Sequence, residues 1–95
     1  MKVRVQYLGF IKNMLNKKED RLELGEDSCL SDLLDKLVGV HGASFRKEVY
    51  EPGLKKVKTG FSVTINGRFI GQLGGLDAKL SDGDTVILMS LMTGG

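Results

Sequence analysis

The amino-acid sequence predicts an α+β fold, in which one main helix packs on one face of a mixed sheet of four to five strands. Two observations predict it. Runs of alternating polar and apolar residues occur near both ends of the chain, and a single long amphipathic helix pattern lies between them. The chain has 95 residues, which suits one small domain. We therefore expect a domain over residues 1–91 and a flexible tail over residues 92–95.

The N-terminal part of the chain predicts two strands separated by a loop. Apolar side chains alternate with polar ones over residues 2–8, which is the period of a half-buried strand. Leu8 falls on the polar face of this strand, so we expect it to be exposed. Residues 9–19 have no sustained period and predict a loop or a short helical turn. Residues 20–24 alternate again, which favours an antiparallel hairpin with the first strand.

The main helix is predicted to begin after Ser28, because a serine hydroxyl suits the N-cap position. Apolar residues then recur at spacings of three and four positions, which places them on one side of a helix. This stripe comprises Leu30, Leu33, Leu34, Leu37 and Val38. Gly39 and Gly42 bracket the expected end of the helix.

The segment after this helix, residues 43–60, has no clear period. Phe45, Val49 and Leu54 are apolar and could pack under the domain, but the segment is otherwise polar. We therefore expect most of it to be mobile rather than part of the regular structure.

The C-terminal part predicts the remaining strands. Residues 61–66 alternate, and Asn66-Gly67 is the two-residue signal for a type I′ hairpin turn. A short returning strand is therefore expected at residues 68–70. Residues 85–91 contain a continuous apolar run and form the last strand. The order strand, strand, helix, strand, short strand, strand, with the first and last strands parallel at the centre, is that of a β-grasp (ubiquitin-like) fold.

The composition argues against several functional classes. The formal net charge is only +2, aromatic residues make up 6%, and the basic clusters are best explained as solvated loops. We therefore expect no nucleic-acid partner. No apolar stretch approaches the length of a membrane span, so we expect no membrane partner and a cytoplasmic location. The single cysteine cannot form a disulfide framework or a thiolate metal cluster.

Four isolated polar residues have structural interpretations that outweigh functional ones. Cys29 is expected to be a partly buried helix residue, and His41 to interact with the dipole at the helix C-terminus. Asp82 and Asp84 flank a glycine, which is typical of a turn and not of a calcium loop. We therefore predict no metal site in this chain.

The most specific features of the sequence lie in residues 66–95. They are Asn66-Gly67-Arg68, Leu76-Asp77, Leu80, Asp82-Gly83-Asp84-Thr85-Val86 and the terminal Thr93-Gly94-Gly95. With these motifs in this fold order, the chain resembles the ubiquitin-like sulfur carriers of the MoaD/ThiS family, and most closely the small subunit of molybdopterin synthase. That family usually has a proline pair before its tail. Ser90 and Leu91 stand there in this chain, which favours a looser tail or a continued strand.

This resemblance implies a function for the C-terminal carboxylate. An activating enzyme of the MoeB/ThiF type would use ATP and magnesium to couple the carboxylate to AMP. A sulfur donor would then convert it into a thiocarboxylate, which donates its sulfur during molybdopterin synthesis. The implied partners are this enzyme and the large subunit of molybdopterin synthase, with which the chain would form a heterotetramer. The chain itself is expected to bind no cofactor.

The candidate site residues follow from the tail and from the family likeness. Gly95 is the predicted reacting residue and Gly94 accompanies it, because glycine lacks a Cβ and can pass through a narrow tunnel. The predicted partner-binding residues are Leu8, Phe69, Met89, Met92 and Thr93. Both faces of the last strand are apolar, so alternation alone does not say which face the helix covers.

Two alternative functions use the same tail. The chain could carry sulfur for another pathway, such as the one that forms the thiazole of thiamine. It could instead be a protein modifier, joined through its C-terminus to lysines of other proteins. The sequence leaves the sulfur acceptor open among these possibilities.

Overall fold

The computed structural model describes residues 1–90, and the remaining residues, 91–95, lie outside its description. The described chain forms one mixed sheet of five strands with helices packed on one face. The strands are β1 (Lys2–Gly9), β2 (Glu19–Glu23), β3 (Phe61–Ile65), β4 (Arg68–Phe69) and β5 (Thr85–Ser90). The helices are α1 (Phe10–Leu15), α2 (Leu30–His41) and α3 (Ala43–Val49), followed by two 3₁₀ turns at Ile70–Gln72 and Gly75–Asp77.

The strand order is β2-β1-β5-β3-β4, so the first and last strands lie at the centre of the sheet. β1 and β5 are parallel, with Val5 opposite Val86, and each has an antiparallel neighbour on its outer side. This arrangement confirms the predicted β-grasp fold. Asn66 and Gly67 both have positive φ, at 51° and 85°, as the predicted type I′ hairpin turn requires.

The core lies between the sheet and the helices. Four residues of the apolar stripe of α2, Leu30, Leu33, Leu34 and Leu37, have no exposed surface, and Val38 is partly buried. In β5, Val86, Leu88 and Ser90 face the helices and are buried, whereas the alternate residues are only partly covered. The structure thus decides the question that alternation left open. None of the helices within residues 1–90 is long and apolar enough to cross a bilayer.

The N-cap of α2 differs from the prediction, because Cys29 occupies it instead of Ser28. The backbone around Ser28 is held in an extended pairing, since Leu30 N–H donates to Ala78 O and Leu80 N–H donates to Ser28 O. The Asp32 carboxylate then accepts a hydrogen bond from Cys29 N–H at 2.9 Å, as an acidic residue at the third helical position can do. The helix therefore begins one residue later than expected.

The expectation that residues 43–60 are mostly mobile is wrong for their first part. Residues Ala43–Val49 form α3, and Phe45 and Val49 are fully buried. These two anchors are four positions apart, so they share one helix face, but two anchors are too few to give a visible period. Leu54 does not pack under the domain as the sequence suggested, because it is 56% exposed.

A largely buried carboxylate joins β1, β2 and α2. The Tyr7 hydroxyl donates to Asp20 Oδ2 at 2.6 Å, Lys17 Nζ donates to Asp20 Oδ1 at 2.7 Å, and His41 Nε2 lies 3.0 Å from Asp20 Oδ2. His41 therefore contacts Asp20, and not only the end of its own helix as predicted. Burial raises the pKa of Asp20, but the three hydrogen bonds outweigh burial and hold that pKa below its ordinary value.

Replacing this carboxylate tests how much the network stabilises the fold. We expect Asp20→Asn to lower the free energy of unfolding by about 1.5–3 kcal/mol near neutral pH, because an amide loses the charge-assisted hydrogen bonds. The stability that ionised Asp20 contributes is present above its unfolded-state pKa of about 4 and is lost as pH falls through its lower folded-state pKa. The difference between wild type and Asp20→Asn, measured by denaturant titration, should therefore shrink in acid.

The control is Asp35→Asn, which removes a carboxylate whose only described partner is Lys55. Both side chains of that ion pair are half exposed, so the change should stay within about 0.5 kcal/mol. An equal loss of stability in the two variants would show that the Asp20 network has no special role.

Candidate functional site

The open face of the sheet, opposite the helices, carries three of the five predicted contact residues, Leu8, Met89 and Phe69. Leu8 on β1 is the direct register partner of Met89 on β5, so the two side chains lie side by side on adjacent strands. Leu8 is 44% exposed, in agreement with the prediction, and Met89 is half-buried. This pair forms an apolar centre on a face that no described helix covers.

Phe69 lies on the same face but farther out. It is 58% exposed on the edge strand β4, where it is the register partner of Thr64. Thr64 in turn is opposite Ile87 on β5. Two strand spacings of about 4.8 Å therefore separate Phe69 from β5. We call Leu8, Ile87, Met89 and Phe69 the open-face patch; three of its members are contiguous and Phe69 stands at the edge.

Ile87 was not among the predicted contact residues, although the structure places it within the patch. The sequence offered one signal that Ile87 belongs to the patch. It lies two residues before Met89, and side chains two apart in a strand share a face. The signal was weak because every residue from Val86 to Met89 is apolar. Only the knowledge that Leu88 is buried makes Ile87 an open-face residue.

The open face becomes polar on the side of β2. An open groove of about 570 Å³ lies there, lined in part by Lys2, Arg4, Arg21 and Glu23. Arg4 Nη2 is 2.9 Å from Glu19 Oε1, and the hydrogen bond from Arg4 holds the pKa of that carboxyl below its ordinary value. Cations and carboxylates alternate in this region, so it forms a polar border to the open-face patch.

The end of β5 is held by the N-terminal end of α1. Ser90 is 2% exposed, and its Oγ accepts a hydrogen bond from Ile11 N–H at 2.9 Å. Gly9 has φ 73°, and a Cβ at that residue would overlap the Ser90 carbonyl oxygen. β5 thus continues as a strand through Ser90, which is one of the two outcomes that the absence of the expected proline pair predicts. Neither Gly9 nor Ser90 was predicted as a site residue, because their contact joins distant parts of the chain.

The predicted tail residues lie outside the described part of the chain. They are Met92, Thr93, Gly94 and Gly95. Their proposed roles therefore stay predictions. The last described residue before them is Ser90, which follows Met89 in β5 and lies beside Gly9 of β1.

The acidic turn before β5 has a structural role, as predicted. Asp82 Oδ1 accepts a hydrogen bond from Lys2 N–H at 2.7 Å, and Asp84 Oδ2 accepts one from Ser81 N–H at 2.8 Å. Asp84 Oδ1 also accepts a hydrogen bond from the Asn66 side chain at 2.8 Å, which ties this turn to the β3–β4 hairpin. Within residues 1–90 there is no group of three or more histidine, cysteine or acidic side chains that could hold a metal ion.

Solved structures with this fold include small archaeal modifier protein 1 of Haloferax volcanii, which is 20% identical with a TM-score of 0.83 over 100% of both chains. A putative molybdopterin converting factor, subunit 1, from Pyrococcus furiosus is 26% identical with a TM-score of 0.75, covering 97% of this chain and 99% of the other. A chain of the BexX/CysO complex of Amycolatopsis orientalis is 20% identical with a TM-score of 0.74, covering 98% and 99%.

None of the curated protein sequences matches the chain significantly. The model of the ThiS family, in contrast, matches residues 5–95, which is nearly the whole chain and includes both terminal glycines. The chain therefore belongs to the ThiS family.

Proposed function

We propose that this chain is a sulfur carrier and serves as the small subunit of a molybdopterin synthase. The observation that carries the proposal is the ThiS family match, which runs through Gly94 and Gly95. The choice of molybdopterin is supported by the 26% identity to the Pyrococcus furiosus protein, which is itself described as a putative molybdopterin converting factor. A cytoplasmic location is part of the proposal.

The proposed chemistry overcomes the poor reactivity of a carboxylate. The Gly95 carboxylate attacks the α-phosphorus of ATP in a MoeB/ThiF-type activating enzyme with Mg²⁺, which releases pyrophosphate and leaves an acyl-adenylate. A sulfur donor then attacks the acyl carbon, and AMP departs with one of the original carboxylate oxygens. The product is a thiocarboxylate on Gly95, whose sulfur is the nucleophile passed to the pterin precursor in the large subunit.

The division of labour in this proposal suits the described domain. Its own contribution is a surface for docking and a fixed starting point for the tail, whereas the partners supply ATP binding and the catalytic groups. Five residues follow Ser90 in the sequence. At most about 3.4 Å per residue, they span about 17 Å, enough to reach a reaction centre inside a partner.

The open-face patch is the proposed docking surface for these partners. Leu8 and Phe69 keep about half of their surface exposed, and Ile87 and Met89 extend the apolar area between them. Methionine adapts to differently shaped partners, which suits a carrier that must meet two of them. With the large subunit the proposed assembly is a heterotetramer that has two small subunits at its ends.

The mass of the C-terminus tests the central step. Incubating the chain with its activating enzyme, ATP, Mg²⁺ and sulfide should raise the intact mass by the difference between one sulfur and one oxygen atom. Deleting Gly95 should abolish this shift and leave thermal unfolding unchanged, since the residue follows the described domain. Fragment ions should place the added mass on Gly95. A shift that persists after the deletion would contradict the assignment of Gly95.

Material isolated from cells separates the alternative functions. Co-purification with a pterin-binding large subunit supports molybdopterin synthesis, and a thiocarboxylate without that partner supports another sulfur pathway. Gly-Gly remnants on lysines of other proteins would instead identify a protein modifier. If neither a thiocarboxylate nor remnants are found, and cells tolerate deletion of Gly95, the proposed function is wrong.

Charge placed in the open-face patch tests the docking surface. We expect Leu8→Asp and Met89→Asp each to raise the dissociation constant for the large subunit by about tenfold or more, because a buried carboxylate in an apolar contact is unfavourable. Calorimetry or surface plasmon resonance would measure this change, and the unfolding free energy should barely alter at the exposed Leu8.

Leu54→Asp is the matched control for Leu8→Asp. It makes the same chemical change at another leucine, which is 56% exposed but lies in the segment after α3 and in no strand of the sheet. Its affinity for the large subunit should equal that of wild type. Equal effects at Leu8 and Leu54 would show that docking does not use the open-face patch.

A further inference from the structure

The contact between Gly9 and Ser90 leaves no room for a side chain at position 9. The two residues are register partners at the ends of the parallel strands β1 and β5. Gly9 has φ 73°, and a Cβ there would overlap the backbone carbonyl of Ser90. Glycine alone meets both conditions without strain. Ser90, the last described residue before the tail, therefore packs directly against the junction between β1 and α1.

Ser90 in turn completes the start of α1. The first N–H groups of a helix have no partner within the helix, and a capping side chain usually satisfies one of them. Gly9, the N-cap residue of α1, has no side chain to do so. The Ser90 Oγ takes this role from the neighbouring strand and accepts the Ile11 N–H at 2.9 Å in a buried position. Gly9 thus leaves space for the Ser90 carbonyl, and Ser90 provides the capping oxygen that Gly9 does not have.

Burial makes this hydrogen bond unusual in the molecule. Ser90 is the one polar residue in the buried set of residues 1–90, while every other member of that set is apolar or aromatic. The fully buried Ile11 side chain anchors α1 beside it. Burial alone would favour an apolar side chain at this position, so the hydroxyl is explained by its hydrogen bond with Ile11 N–H and not by burial.

We propose that Gly9, Ile11 and Ser90 form a clamp that sets the direction in which the chain leaves β5, and that Ser90 is a positioning residue for the reaction of Gly95. This inference rests on the proposed function. The five residues after Ser90 span at most about 17 Å. Because the clamp already fixes Ser90, fewer residues must be ordered when Gly95 is brought to a reaction centre, so the entropy cost of that step is smaller.

Removing the hydroxyl tests the clamp by separating positioning from docking. The probe is thiocarboxylate formation by the activating enzyme with ATP, Mg²⁺ and sulfide, at a temperature where all variants are folded. We expect Ser90→Ala to lower kcat about tenfold. That factor corresponds to the entropy cost of ordering about one backbone residue that the clamp no longer holds. KM should stay within about twofold, because the open-face patch is unchanged. Ser90→Thr keeps the hydroxyl and should restore most of kcat.

Val63→Ala is the control for a general loss of stability. Val63 lies on the buried face of β3 and is 2% exposed, so its truncation weakens the core without touching the clamp. Its kcat should equal that of wild type in the folded state. Amide exchange gives an independent check, since the Ile11 N–H should exchange faster in Ser90→Ala than in Val63→Ala.

The outcomes distinguish this inference from the proposed function. If wild type forms thiocarboxylate and Ser90→Ala has the same kcat as Val63→Ala, the clamp has only a structural role and the inference is wrong. An increase in KM without a change in kcat would also overturn it. If wild type forms no thiocarboxylate at all, the proposed function fails and the positioning role falls with it.

Discussion

The parallel pairing of β1 with β5 is the constraint on which the rest of the molecule depends. It joins the first and last described strands at the centre of the sheet, with register partners from Arg4–Thr85 to Gly9–Ser90. Parallel strands end at the same edge of a sheet, so the C-terminal ends of β1 and β5 meet. The Leu8–Met89 pair and the Gly9–Ser90 contact are both consequences of this pairing.

The same pairing explains why α1 exists where it does. β1 leaves the sheet at Gly9, directly beside Ser90, the last described residue of β5. A helix that starts there packs Ile11 into the core and covers the end of β5 on the helix side. The other side of the two strands receives no such cover. Local geometry thus produces one covered side and one open apolar side at the ends of these two strands.

Much of the fold could be predicted because its signals are local. The alternation in β1 and β3, the stripe of α2 and the Asn66-Gly67 turn each depend on residues close together in sequence. The helix Ala43–Val49 escaped prediction because two anchors give no visible period, whereas the N-cap of α2 depends on distant residues. Ser28 is not the N-cap of α2, because its backbone pairs with the Ala78–Leu80 segment.

The candidate site likewise contains residues that local patterns predict and residues that they do not. Alternation placed Leu8 on the exposed face correctly, and the family likeness supplied Met89 and Phe69. Alternation said nothing about Ile87, because β5 is apolar on both faces and only the position of the helices distinguishes them. The hydrogen bond from Ile11 to Ser90 joins residues 79 positions apart, so no local pattern could reveal it.

The residues that depart from ordinary folding rules gather at one edge of the sheet. Leu8 is apolar yet exposed, Ser90 is polar yet buried, and Gly9 has a positive φ at the end of a strand. Single exposed apolar residues such as Val40 are common and need no explanation, but these three occupy two consecutive register pairs of β1 and β5. Such departures concentrate where function outweighs stability, so their position supports the proposed roles of this edge in docking and in positioning the tail.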